Sequence, residues 1–210
     1  MPFGYIGQNQ TKQKVKNTGV LSSFDISLLE KKGQAGGSLE LIEEQTISSS
    51  TAQVDFTAIK QNVYDVHFLQ FTELNFDTDN KDLRLRFGVG GTIDTDNDYQ
   101  RARQIISTSG NAESRDNNIS YLTIAGEVGS ATNELLNGYI YIYNAGNSNK
   151  YTFTTHQTTQ LNYLGQFQMN FGSGIYDQTA EVDTIRLYPS SGNWTAGTIK
   201  LYGVKQIWVT

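Results

Sequence analysis

Six aspartates in two short runs are the residues of this chain best placed for chemistry. Asp94, Asp96 and Asp98 lie in I-D-T-D-N-D, and Asp77, Asp79 and Asp82 in F-D-T-D-N-K-D, the alternate spacing with which a calcium loop presents carboxylate oxygens. Neither run has the glycine at the sixth place or the glutamate at the twelfth that complete such a loop. Asx-rich segments also make hairpin turns, so turns are the expected role and no metal is expected. Glu40, Glu43 and Glu44 crowd one short segment, whereas glycoside hydrolysis needs two carboxyls facing each other across a cleft, so a solvated strand face is expected. His67 and His156 are the two histidines. His67 has apolar neighbours and reads as a packed or hydrogen-bonded residue, and no catalytic triad can be assembled around either. The chain has no G-x-S-x-G, no G-x-x-x-x-G-K-[ST] and no G-x-G-x-x-G after a strand. No enzymatic activity and no cofactor are therefore expected.

The elements that must carry these residues are short strands. Two Pro, 20 Gly, 12 Tyr and no Cys in 210 residues suit polar turns between β-branched and aromatic runs, and leave packing without disulfides to hold the fold. Residues 39–48 and 53–58 are strand candidates, the second alternating Val54 and Phe56 with Asp55 and Thr57. Residues 63–72 are apolar on both parities, as in a central strand. Leu83, Leu85, Phe87 and Val89 alternate with Arg84, Arg86 and Gly88. Residues 99–106 fit a strand or a helical turn, and 107–118 a polar loop. Strands resume at 119–125, 139–143, 151–155 and 163–171, the last with Phe167, Met169 and Phe171 facing in. Near the end, Ile185 and Leu187 oppose Arg186 and Tyr188 in parity, and Ile199 and Leu201 oppose Lys200 and Tyr202, which predicts a two-armed hairpin over 182–204. About eleven strands result, and an all-β, antiparallel jelly-roll-type β-sandwich is the expected fold.

Charge divides the chain. Residues 1–37 carry Lys12, Lys14, Lys16, Lys31 and Lys32 against Asp25 and Glu30, a net of 5 − 2 = +3, so the remainder carries −5 − 3 = −8. The leading stretch has too few large apolar residues for a core and is expected to be an extended docking arm. Within it Ser22 or Ser23 caps a short helix whose Phe24, Leu28 and Leu29 share a face, and Gly33 stops it. Lys12, Lys14, Lys16, Phe24, Leu28 and Leu29 are the expected docking contacts, and 38–210 the sandwich domain. The acidic domain repels phosphate backbones, so no nucleic-acid partner is expected. No apolar run approaches the ~18 residues needed to span a bilayer, and M-P-F-G-Y lacks the blocks of a secretory signal, so no membrane insertion is expected.

Four stretches in order, S-S-S-T-A-Q-V-D-F-T-A-I, Y-D-V-H-F-L-Q-F, L-R-L-R-F and S-S-G-N-W-T-A-G-T-I-K-L-Y-G-V, resemble a jelly-roll domain of virion appendage proteins in tailed phages, those of marine cyanobacteria in particular. S-L-E-L-I-E-E-Q-T and the arm resemble the start of such proteins. The resemblance implies a structural virion protein assembled in the host cytoplasm, tail- or fibre-associated, docked on other virion proteins through residues 1–37 and self-associated, with a trimer the expected form. It carries no active site. A capsid decoration protein and an independent carbohydrate-binding module are the alternatives.

A host glycan is a further expected partner. Trp194, flanked by Tyr188 and Tyr202 on the outward parity and by Asn193, offers an aromatic platform on which a sugar ring could stack. The competing reading, in which Trp194 folds back to cap the sandwich or is covered by a neighbouring subunit, is the stronger one, because a large aromatic gains most by burial.

Overall fold

A computed structural model describes residues 37–205 and Ser27. The docking residues Lys12, Lys14, Lys16, Phe24, Leu28 and Leu29, and the short helix expected around them, lie outside the described residues. Residues 39–204 form one compact unit built of antiparallel strands, with no cis peptide bond.

The strands in chain order are β1 (Leu39–Ile47), β2 (Val54–Phe56), β3 (Val66–Phe76), β4 (Lys81–Val89), β5 (Thr92–Ile93), β6 (Tyr99–Ser107) and β7 (Gly110–Ile119). After these come β8 (Leu122–Val128), β9 (Leu136–Tyr143), β10 (Thr152–Leu161), β11 (Phe167–Tyr176), β12 (Thr184–Pro189) and β13 (Trp194–Val204). They form a β-sandwich. One sheet has eight strands in the order β1-β13-β3-β9-β10-β11-β6-β7. The other has β2-β12-β4-β5, with β8 also paired to β4. Leu69, Phe71, Ile140, Ile142, Ile199 and Leu201 of the large sheet and Leu83, Leu85, Phe87, Ile185 and Leu187 of the small one are fully buried in a common core.

Three sequence expectations are corrected. The segment 107–118 is not a loop: β7 pairs with β6 from Tyr99↔Ile119 to Ser107↔Gly110. It is polar because it is an edge strand exposed on both faces, so no apolar parity exists to be read. Next, β12 and β13 are not a hairpin. β12 lies between β2 and β4 in the small sheet, and β13 between β1 and β3 in the large one, so residues 190–193 cross from sheet to sheet. Both arms keep the period of two, but each half-buried face meets the other across the core rather than lying beside it.

The third correction is the orientation of β11. Phe167 and Phe171 are 50% and 42% exposed, and the inward parity is Gln168, Asn170, Gly172, Gly174 and Tyr176. β10 behaves the same way, with Thr152, Thr154, His156, Thr158 and Gln160 buried and Phe153 exposed. The polar interior is held by hydrogen bonds. β8 lies over these two strands, and its Gly126 carbonyl accepts from Gln160 Nε2 (2.6 Å) and Gln168 Nε2 (3.0 Å). Asn170 Nδ2 donates to Thr158 Oγ1 at 3.1 Å. Gly174 is a glycine for space: a Cβ there would lie 2.6 Å from Leu122 Cδ2 of β8.

Candidate functional site

The outer face of the large sheet is the most developed surface among the described residues. Because Leu69, Ile140, Ile142, Ile199 and Leu201 face the core, period two sends Phe68, Tyr139, Tyr141, Tyr143 and Tyr202 outward. Register places Leu41, Tyr202, Phe68 and Tyr141 in one row across β1, β13, β3 and β9. The ring of Phe68 lies 4.9 Å from Tyr141, 5.8 Å from Tyr139 and 6.0 Å from Tyr202, centroid to centroid. These are the spacings of attractive aromatic pairs. Two hydroxyls fasten the array sideways to β10: Tyr139 donates to Gln157 Oε1 (3.1 Å), and Tyr143 bonds Thr155 Oγ1 (3.1 Å).

Toward β11 the same face continues through Phe153, Phe171 and Phe167, all close to half exposed. Beside Phe171 a groove of about 340 Å³ opens against Gln104, Glu113 and Arg115. At the opposite margin Glu44 pairs with Lys200 at 3.2 Å. Charge is thus confined to the rims, and the centre is aromatic and amide-bearing. This is the composition of an interface core, with charge depleted and Tyr and Phe enriched.

The four residues expected to meet a ligand together are separated. Trp194 is fully buried, its ring edge-on to Phe76 at 6.3 Å, and its backbone is bridged to Thr51. It therefore caps the interior, and an exposed platform at this position is excluded. Tyr188 and Tyr202 point outward from different sheets, so they stand on opposite faces of the sandwich. Tyr188 lies by Arg86, whose guanidinium is 5.3 Å from its ring centroid. Asn193 is part of a clasp: its amide donates to Asp77 Oδ1 (2.9 Å) and its side chain to Ser50 Oγ (2.8 Å).

Asp77, from the first aspartate run, also accepts from Thr78 Oγ1 at 2.7 Å, and these bonds hold its carboxyl below the usual range. Asp94, Asp96 and Asp98 do converge, with ligand atoms within 4.8 Å of one another. Both carboxylate oxygens of Asp94 already serve the fold. Asp94 Oδ1 accepts from the Asp96 amide (2.8 Å), a local turn bond, and Oδ2 from the Tyr176 hydroxyl of β11 (2.6 Å), a contact across the fold.

The remaining candidates are structural. Glu40 pairs with Lys60 at 3.5 Å, Glu43 accepts from Gln45, and Glu44 has Lys200, so the three do not face each other across a cleft. His67 Nε2 donates to the Ile59 carbonyl at 2.8 Å. Burial depresses its basicity. His156 is buried with both ring nitrogens unpartnered. Burial, and then the nearby Arg103 and Arg101, push its pKa down to about 4.

Sequence reasoning missed Phe153, Phe167 and Phe171 as surface residues. The opposite parity of β11 carries Gln168, Asn170, Gly172 and Gly174, and the two glycines make room for Arg103 of β6 and Leu122 of β8, neighbours that the strand's own alternation does not reveal.

Fold and site together define a β-sandwich with an aromatic outer face on its large sheet. Compared with known proteins, the chain matches no protein-family model and no curated protein significantly.

Proposed function

We propose that this chain is a structural virion protein of a tailed phage, tail- or fibre-associated, whose aromatic sheet face is covered on assembly. The carrying observation is the inverted hairpin β10–β11, which turns phenylalanines to solvent and threonines and amides to the core. Such an arrangement costs the isolated domain and is recovered when a partner covers the face. Strand pairing supports a jelly roll: β1 with β13, β2 with β12, β3 with β9 and β4 with β8 follow the first-with-last order of its eight strands. On this reading β6, β7, β10 and β11 are insertions that widen the large sheet, and β5 is a short addition to the edge of the small one. Residues 1–37 anchor the subunit to other virion proteins, and copies associate through the aromatic face, as a cyclic trimer. No enzymatic role is proposed.

The test is the position of gold-labelled antibody on intact particles. Label on the tail or its fibres supports the proposal, label on the head shifts the role to capsid decoration, and particles free of the protein overturn it.

A further inference from the structure

A second concavity, unrelated to the aromatic face, lies where the β6–β7 turn and the β10–β11 turn meet the end of β8. It encloses about 350 Å³, within the range of small-molecule sites. Ile105 and Ala112, paired across β6 and β7, contribute its apolar part. Tyr163 and Leu164, 36% and 61% exposed, belong to the β10–β11 turn that forms one side.

The polar groups are preorganised. Asn162 Oδ1 accepts from the backbone amides of Leu164 (3.0 Å) and Gln166 (2.9 Å), and Asn162 Nδ2 donates to Gln166 Oε1 (3.3 Å). Ser109 Oγ donates to the same Gln166 Oε1 at 3.0 Å. With its oxygen doubly engaged, Gln166 keeps its amide hydrogens for a ligand. Across from it stands Glu127. Its backbone is held in the left-handed conformation, φ 60°, and its carbonyl accepts from the Tyr163 amide at 3.0 Å. An acidic residue in so sparsely populated a conformation marks a position that the surroundings dictate.

The lining decides the ligand's chemistry. No Lys, Arg or His lines the cleft, so a phosphate or carboxylate would have no counter-charge there. A single carboxylate is too few for a cation. An apolar molecule would strand the serine and amide groups. A polyol offers adjacent hydroxyls that each donate and accept, plus a C–H face for an aromatic ring. We propose that the cleft between Glu127, Ser109, Tyr163 and Gln166 binds a neutral saccharide, Glu127 accepting from vicinal hydroxyls and Gln166 donating to one of them. This site is independent of the virion role and of the aromatic face.

The experiment uses the full chain with glucose, galactose, mannose, N-acetylglucosamine and their common disaccharides, followed by saturation-transfer NMR and titration. At least one of them binds, and Tyr163→Ala and Glu127→Gln each raise its dissociation constant about tenfold or more, the loss expected for a stacking face or a charge-assisted hydrogen bond. Glu127→Gly suits the left-handed backbone, so it folds and still loses binding. The proposal is overturned if none of these saccharides binds, or if the Glu127→Gly protein binds as tightly as the parent.

Discussion

Thr51 and Trp194 exchange both of their backbone hydrogen bonds, Thr51 N to Trp194 O at 3.0 Å and Trp194 N to Thr51 O at 2.9 Å. The bridge sits at the point where the chain leaves the small sheet and enters the large one. It fixes the entry angle of β13 and drives the indole inward against Phe76. The indole Nε1 finds no partner there, so the position is used for volume rather than for hydrogen bonding. Trp194→Ala is expected to cost about 3–5 kcal/mol, as loss of a fully buried aromatic does. Trp194→Phe should cost clearly less, since it also removes the unpaired donor. Chemical denaturation of both variants checks the order; an alanine variant as stable as the parent would refute it.

The same crossover depends on Gly192. Its φ is 71°, and a Cβ would lie 2.3 Å from Asp77 Oδ1 and 2.5 Å from Thr78 Oγ1. Gly192→Ala therefore meets backbone strain and a clash together, and should destabilise by about 1–3 kcal/mol. Gly165, also left-handed at φ 69° but with open space around it, provides the control: Gly165→Ala should show the strain alone and the smaller melting shift.

Acid stability should be limited by His156. Its pKa of about 4 in the folded protein lies below the ordinary value near 6.5, so the unfolded chain takes the proton first. The stability due to its neutral form is complete above pH ~6.5 and is lost as pH falls toward 4, by roughly 3 kcal/mol at most. His67 is shifted in the same direction by burial and adds to the slope. His156→Leu should flatten the dependence between pH 6.5 and 4 while leaving stability at neutral pH close to the parent's, because both ring nitrogens are already unpartnered. Denaturation midpoints measured across that interval decide it; an unchanged slope would count against the assignment.

Phe153 and Phe171 are 45% and 42% exposed, so replacing both with Gln should change the stability of the single subunit by less than ~1 kcal/mol each. Self-association of the full chain, followed by light scattering over a range of concentrations, should weaken in the same variant. A large melting shift with unchanged association would mean that these rings support their own sheet instead.

Asp55 and Arg186 join β2 to β12 by two hydrogen bonds, Nε to Oδ1 and Nη2 to Oδ2, both 2.7 Å. The side chains are about a quarter exposed, and solvent screening holds the expected coupling in a double-mutant cycle to about 1 kcal/mol. A coupling indistinguishable from zero would show the pair to be ornamental to the short strand β2.

Much of the fold was legible because the period of two survives in the text. Val54 and Phe56, Leu83 to Phe87, Ile185 and Leu187, Ile199 and Leu201 all face the core as their alternation predicts. β3 runs past residue 72 because Glu73 takes a left-handed bulge, φ 55°, with its amide caught by Asn137 Oδ1 at 2.9 Å. A bulge of this kind depends on a strand far away in sequence and leaves no local signature.

By itself the sequence determined that the domain is made of strands and which side chains share a face, since these follow from local alternation. Tertiary structure alone decided which face is inside and which strands are neighbours. Ile185 to Leu187 and Ile199 to Leu201 carry the same pattern whether they pair in a hairpin or oppose each other across a core, and only the competition of β2, β4, β1 and β3 for their edges separates them into two sheets. Phe167 and Phe171 would ordinarily be assigned to the interior. They face out because the interior at β11 is taken by Gln168, which donates to the Gly126 carbonyl, by Asn170, and by Gly174, against which Leu122 packs, and burial is a property of what lies opposite, which no alternation in one strand records.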